Sequence, residues 1–312
     1  MRMSESFSSP GIDPPSPTLS ARLRELAEYL AAPAAGRLTE EQRALSLGIA
    51  RRLVTAVAAR LDPAIDANAL WADWLHGGVP GAERLVGHCF ARAEEHRWRE
   101  QSAHRNASPA PVHPGDATAD APAVDTALSD VDRAYLALQI ADRRRFDALG
   151  NPALAVGDLD AELFRALLLD IAAWRLAEVS RDTDRAAQLG DAVRAVVSRQ
   201  AEEPGIADAA NAYHAILGDR VPQVAADAIA RHNWPVLIAL AAAAHRRSYG
   251  DMALSLLTAQ AAALPSLLAP LQLDRTALAP LEASLAMLPS RAVADGGGGD
   301  QVDPKPSGRD GR

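Results

Sequence analysis

A single cysteine in 312 residues, Cys89, excludes both an internal disulfide framework and a four-thiolate zinc site. Lysine is almost missing as well. Lys305 is the only one, so the positive charge is carried by arginine, a coding bias of GC-rich genomes and no binding signature in itself. Aromatic residues make up 4% of the chain against 48% hydrophobic residues overall, so the apolar mass is alanine, leucine and valine. β-Branched runs bounded by turns are absent, which leaves helix as the expected secondary structure. The longest unbroken apolar run, VLIALAAAA at 236–244, is far shorter than the ~20 residues that span a bilayer. The opening MRMSESFSSPGIDPPSP lacks the apolar core of a secretory signal. A net charge of −8 argues against nucleic acid as the partner, because that affinity depends on neutralising phosphates. The sequence carries no Gly-x-Ser-x-Gly elbow, His-Glu-x-x-His helix, Walker loop or dinucleotide fingerprint. Gly296–Gly299 follow no strand pattern and open no helix, so they are not a phosphate loop. A soluble, cytoplasmic protein without cofactor or metal is the expectation.

What is there is a series of amphipathic segments with explicit starts and stops. Residues 1–15 are Ser/Pro-rich and expected to be disordered. Leu19, Leu23, Leu26 and Leu30 then repeat at helical spacing. Thr39 and Gln42 form a capping box that opens a helix striped with Leu45, Ile49, Leu53, Val57 and Leu61. Asp66 caps a short helix carrying Leu70, Trp71 and Trp74, closed by Gly77-Gly78. Pro80 suits the first position of the next helix. From 102 to 127 the composition shifts to Ala, Pro and Asp, which predicts a flexible linker. Ser129 and Asp160 cap further helices, the second with Phe164, Leu167, Ile171 and Trp174 on one face. Shorter helices are expected around 183–201, 205–217, 221–231, 234–247, 251–263 and 275–288, before a flexible tail at 291–312. The predicted organisation is all-α: an N-terminal lobe over 16–101, the linker, and a C-terminal lobe over 128–290, with helical hairpins stacked in a bundle or HEAT-like array.

The stretch HCFARAEEHRWREQSAHR, 88–105, concentrates the residues closest to chemistry. On a helix, Ala82, Leu85, Val86, Cys89 and Ala93 share a face that continues through His96, Glu100 and His104. Those three cannot close on one ion, because eight residues at ~1.5 Å rise separate the two histidines by about 12 Å. At most a pair such as His96 with Glu100 could contribute to a site. Cys89 lies in the apolar stripe and reads as a small buried hydrophobe. The apolar character of the stripe stops after Ala93, which predicts a helix leaving the body. Trp98, about 180° from the buried face, then becomes a candidate partner anchor. Arg143, Arg144 and Arg145 form a second candidate surface for a partner or an anionic ligand, with Asp142 and Asp147 flanking them.

RALSLGIA at 43–50 and RALLLDIA at 165–172 agree at six of eight positions, a hint of internal repetition. The segment 142–178 is similar to the central region of a bacterial family of uncharacterised, all-helical, HEAT-like proteins defined as a domain of unknown function. The similarity rests on the Arg143–Arg145 run with Phe146, on Gly150-x-Pro152, on Asp158-Leu159-Asp160, and on Ala173-Trp174-Arg175. LTEEQRALSLGIARRLV at 38–54 resembles the family's early helix more loosely, without the arginine-rich continuation that follows there. The resemblance implies a helical-repeat fold and carries no catalytic residues with it. The function expected from all of this is a non-enzymatic interaction or regulatory scaffold with an unidentified protein partner. The contrasting reading is a helical enzyme or small-ligand sensor using His96 and Glu100 or the Arg143–Arg145 cluster.

Overall fold

Helix starts are the features that local sequence specifies most directly, and most form as expected. A computed structural model of the chain describes residues 38–106, 128–179 and 182–288. In α1 (Glu40–Leu61), the Gln42 amide donates to Thr39 Oγ1 at 3.2 Å and the Thr39 amide donates to Gln42 Oε1 at 2.8 Å. Asp66 accepts from the Asn68 and Ala69 amides at the start of α2 (Ala67–Gly77), which ends at Gly78 with φ +99°. Helix α3 (Ala82–Asn106) begins two residues after Pro80, not at it, because Gly81 turns the chain with φ +61°. Ser129 caps α4 (Asp130–Arg143), and Asp160 Oδ1 accepts from the Leu163 amide at 2.7 Å to open α5 (Ala161–Val179). There follow α6 (Thr183–Glu202), α7 (Ile206–Leu217), α8 (Val221–Ala230), α9 (Trp234–His245), α10 (Tyr249–Thr258), α11 (Leu264–Leu267) and α12 (Ala279–Ala286). The fold is all-α. Among the described residues no strand occurs, only a single bridge between Phe146 and Pro152. No described helix is long and apolar enough to cross a membrane.

The apolar faces are gathered into two cores, and the division does not follow the chain. One core joins Ile49, Leu53, Val57, Trp71, Trp74 and Cys89 to Leu154, Leu163, Phe164, Leu168 and Val196. The other joins Trp98 and Leu138 to the buried faces of α7, α8, α9, α10 and α12. The expected split between lobes 16–101 and 128–290 is therefore corrected: α5 and α6 complete the core begun by α1 and α2. Helix α3 serves both cores, with Leu85, Cys89 and Ala93 in the first and Trp98 in the second. Of the two expected arrangements, bundle or serial array, the packing of α3 against α10 and α12 is that of a bundle. Each repeat of a serial array touches only its neighbours. The similar octapeptides at 43–50 and 165–172 lie in α1 and α5, which pack against each other.

The helix at the end of α3 does not leave the body. It continues through Asn106, and Ser102, expected as the first residue of the linker, is buried with its Oγ accepting from Trp234 Nε1 at 2.7 Å. The remainder of the linker (107–127), the segment 1–37 with its leucine repeat, and the tail from 289 lie outside the described residues. A close backbone approach ties the two cores together. The Asp158 carboxylate accepts from the Ile206 amide at 2.7 Å, and a Cβ on Gly205 would lie 2.3 Å from the Gly157 carbonyl oxygen. Only glycine fits there.

Candidate functional site

The residues closest to chemistry converge on the loop after α4. Asp147 shapes that loop by accepting from the Leu149 and Asn151 amides at 2.9 and 2.8 Å, with Gly150 at φ +85°. The Ala153 amide donates to the Arg145 carbonyl at 2.9 Å and closes the turn. Arg145 is thereby directed inward against α3, where Arg92, Glu95 and Arg99 follow at spacings that share one helix face.

Glu95 has no exposed surface and sits at the centre. Both of its oxygens accept from the Arg145 guanidinium, at 3.0 and 2.6 Å, a bidentate pair. Tyr249 Oη donates to Glu95 Oε1 at 3.2 Å, while the Arg145 guanidinium lies 4.4 Å over the Tyr249 ring. Arg99 holds Asp142 through bonds of 2.8 and 2.9 Å. Arg92 donates to the Arg145 and Ala153 carbonyls at 2.8 and 3.2 Å and lies 4.6 Å over the Phe146 ring. Asp158 faces Arg145 Nε at 3.4 Å. Three guanidiniums thus meet three carboxylates, Glu95, Asp142 and Asp158, and the cluster is neutral as a whole.

Burial by itself would raise the Glu95 carboxyl, but the Arg145 and Arg92 charges outweigh it and hold the group down at about 2. Burial pulls Arg92 down to about 10, so it keeps its proton at neutral pH. Burial also raises the Asp158 carboxyl and the Tyr249 hydroxyl above their ordinary values. Arg92 Nη1, Arg145 Nε and Asp158 Oδ2 make no hydrogen bond among the described residues and are met only by opposite charge, at 3.6 Å from Glu95 for the first and 3.4 Å from each other for the other two. The cluster locks α3, the 145–158 loop and α10 into one arrangement.

On either side of Phe146 the surface opens. A groove of about 890 Å³ lies between the outer face of α1 and the loop, with small residues of α1 such as Gly48, Ala56 and Ala59 along one wall. Arg51, Arg52 and Arg144 line it. Arg51 donates to the Asn68 side chain at 2.8 Å and Arg52 to the Pro152 carbonyl at 2.8 Å, and none of the three has a carboxylate within ion-pairing distance among the described residues. Arg60, also in the groove, is held by Glu203 at 2.6 and 3.2 Å. On the other side of Phe146, a cleft of about 570 Å³ is walled by α3, α4 and the α8–α9 junction.

The expected site residues fall in different places. Trp98 is not an exposed anchor. It is fully buried, stacked on Trp234 with ring centroids 4.6 Å apart, and its Nε1 donates to Ser284 Oγ at 2.9 Å. Its phase opposite the Ala82–Ala93 face is as expected, but the second core covers that side too. The arginine run divides: Arg143 and Arg144 are exposed, and Arg145 is buried in the cluster instead of lying on a mixed surface. His96 Nε2 lies 3.3 Å from Glu100 Oε1, the pair expected from spacing. No group of three metal-ligating residues gathers among the described residues. Cys89 is buried, and that burial pushes its thiol up to about 12, the behaviour of an inert hydrophobe. Trp71 and Trp74 are core, whereas Trp174 is only half-buried and donates to Asp73 at 2.9 Å.

Sequence reasoning passed over Glu95, Arg92, Arg51 and Arg52. The first two carried a legible signal in the i, i+3, i+7 spacing of Arg92, Glu95 and Arg99. Arg51 and Arg52 had none, since adjacent arginines on a polar helix face are ordinary. Comparison of the chain with protein-family models, with curated proteins and with solved structures found no match.

Proposed function

We propose that the protein is a non-enzymatic interaction scaffold that holds an acidic stretch of a partner protein in the groove between α1 and the 144–156 loop. The observation that carries this reading is the convergence of Arg51, Arg52 and Arg144, none within ion-pairing distance of a carboxylate among the described residues, on one groove of a chain whose net charge is −8. The contrast with the buried cluster, where charges balance three against three, makes the groove a local reversal of sign. Guanidinium forks suit carboxylates by geometry as well as charge. The small residues along α1 let a polypeptide backbone approach closely, and arginine is among the residues that concentrate binding energy at interfaces. The overall negative charge of the chain disfavours an extended nucleic-acid backbone, whose phosphates would run beyond the groove. A cytoplasmic setting suits a chain with one cysteine.

The test is fluorescence anisotropy with labelled hexaglutamate, hexalysine and a thymidine hexanucleotide. Hexaglutamate should bind and weaken as salt rises, and Arg51→Ala with Arg144→Ala should reduce its affinity at least tenfold. Affinity for the oligonucleotide equal to that for hexaglutamate would sink the reading, as would indifference to the two substitutions.

A further inference from the structure

A pocket of about 280 Å³ lies between α4, α7, α8 and the start of α9, and it shares no residue with the arginine groove. Helical spacing builds its walls. Asp132 and Tyr135 stand one turn apart on α4, and Val224, Asp227 and Arg231 fall at i, i+3 and i+7 along α8 and its C-cap. Tyr213 comes from α7, and its ring centroid lies 5.6 Å from that of Tyr135, with the planes tilted by 49°. Tyr213 is 5% exposed, yet its hydroxyl makes no hydrogen bond among the described residues and keeps contact with solvent. Tyr249, as deeply buried, donates to Glu95 instead. A nearly buried hydroxyl without an internal partner is satisfied only from the open side. Burial raises the Tyr213 hydroxyl above its ordinary value, Tyr135 and Asp132 act in the same sense and Arg220 opposes them, so the group stays neutral.

The pocket is also short of positive charge. Asp132 accepts from Ser129 Oγ at 2.6 Å and Asp227 from Gln223 Nε2 at 3.1 Å, both neutral donors. Neither carboxylate has a cation within ion-pairing distance among the described residues. Asp227 stands in the last turn of α8, the negative end of the helix, where a cation is favoured and an anion is not. Arg231 is the one guanidinium among the lining residues. It does not pair with Asp227, and two carboxylates against it leave the pocket net negative.

We propose that this pocket binds a protonated primary amine carried on a short alkyl body. Asp132 and the Tyr213 oxygen accept from the ammonium, Asp227 adds its charge from α8, and the Tyr135 ring and Val224 cover the alkyl carbons. Aromatic faces attract cations as well as carbon, so the two rings suit both ends of such a ligand. The volume admits a head group and a few carbons, below the usual range for larger organic ligands. A free alkylamine and the lysine side chain of another protein share this chemistry. The site does not depend on the scaffold reading.

Tyrosine ring NMR of the full chain at neutral pH tests it, with isoamylamine, isoamyl alcohol and the methylamide of acetyl-lysine (acetylated on its α-amine) as probes. Isoamylamine should bind saturably at about 10 mM or below, the affinity expected for so small a molecule, shifting the Tyr135 and Tyr213 resonances but not that of Tyr249. Isoamyl alcohol, the same body without the charge, should bind at least tenfold more weakly. Asp227→Asn should weaken the amine several-fold without lowering the urea midpoint, because it removes an anion from a helix C-terminus. Tyr213→Phe should weaken it as well. Arg231→Ala should tighten binding by removing a like charge, and Arg144→Ala, in the groove, should change nothing. The lysine derivative binding more tightly than isoamylamine assigns the site to a protein side chain, and the reverse order to a free amine; both sustain the proposal. Isoamyl alcohol matching the amine would reduce the pocket to an apolar hollow and overturn it. So would an affinity unchanged in both Asp227→Asn and Tyr213→Phe, or no saturable shift of the Tyr213 resonance.

Discussion

Glu95 shows how a single buried charge is made tolerable. Its carboxylate is fully removed from water and is compensated by the bidentate Arg145, by Arg92 at 3.6 Å and by the Tyr249 hydroxyl. Taking the charge away leaves Arg92 buried without its counter-ion and Arg145 with only Asp158 and Asp142 at 3.4 and 3.7 Å, and breaking such a pair costs about 3–5 kcal/mol. Glu95→Gln should lower stability by that amount in urea titration. A loss below about 1 kcal/mol would mean that the cluster is solvated and not a lock. The pH dependence follows from the same residue. The Glu95 carboxyl moves from an ordinary 4.5 to about 2 in the fold, so its contribution is complete above pH 4.5 and is lost as pH falls toward 2. His96, lowered by burial from 6.5, adds destabilisation as pH falls below that value, because the unfolded ring takes up the proton more readily. Asp158, raised by burial, works in the opposite sense through its own titration. The urea midpoint should therefore fall steeply between pH 4.5 and 2 in the native chain and more gently in Glu95→Gln.

At the scale of elements, the junction of the 156–158 turn with α7 is set by contact between two backbones. The Asp158 carboxylate caps α7 from outside the helix by accepting from the Ile206 amide, and Asp208 reaches back to the Gly205 amide at 3.0 Å. A methyl group at Gly205 would meet the Gly157 carbonyl at 2.3 Å, an overlap that only backbone movement relieves. Gly205→Ala should cost more than the usual surface substitution, about 2 kcal/mol or above, whereas Gly190→Ala in the middle of α6 should be neutral or slightly stabilising. Equal midpoints for the two variants in chemical denaturation would show that the approach at Gly157 is loose. The caps at Thr39, Asp66, Ser129 and Asp160 were legible because an N-cap involves side chains and amides two or three residues apart. The cap from Asp158 to Ile206 was not, since it spans 48 residues of sequence.

At the scale of the whole molecule, α3 is common to both cores. Cys89 and Ala93 belong to one, Trp98 to the other, and Glu95 between them binds α10 and the 145–158 loop. Neither core can lose α3 and remain closed, so the described body should unfold as one unit. Trp98→Ala removes a stacked indole and its bond to Ser284, a change of about 3–5 kcal/mol. It should shift the far-UV circular dichroism and the tryptophan fluorescence transitions together, along one curve. Two separated transitions would show instead that the cores are independent.

Helix content, most helix starts, the apolar faces of α1, α2 and α5, and the place of Cys89 in an apolar stripe were determined by sequence, because each depends on residues within a turn or two of one another. The same locality explains why the His96–Glu100 pair was anticipated, and why helix rise alone keeps His96 and His104 from one ion. Which faces become covered is a different matter. The phase of Trp98 on α3 was legible, but its burial depends on Trp234 and Ser284, brought to it from more than a hundred residues away. The fate of the Arg143–Arg145 run was likewise decided by partners in α3 and α10: Arg145 turns inward to Glu95, and Arg144 turns to a groove whose other arginines come from α1. Helical periodicity assigns each side chain a direction, and only tertiary packing decides whether that direction meets water, a core or a counter-charge.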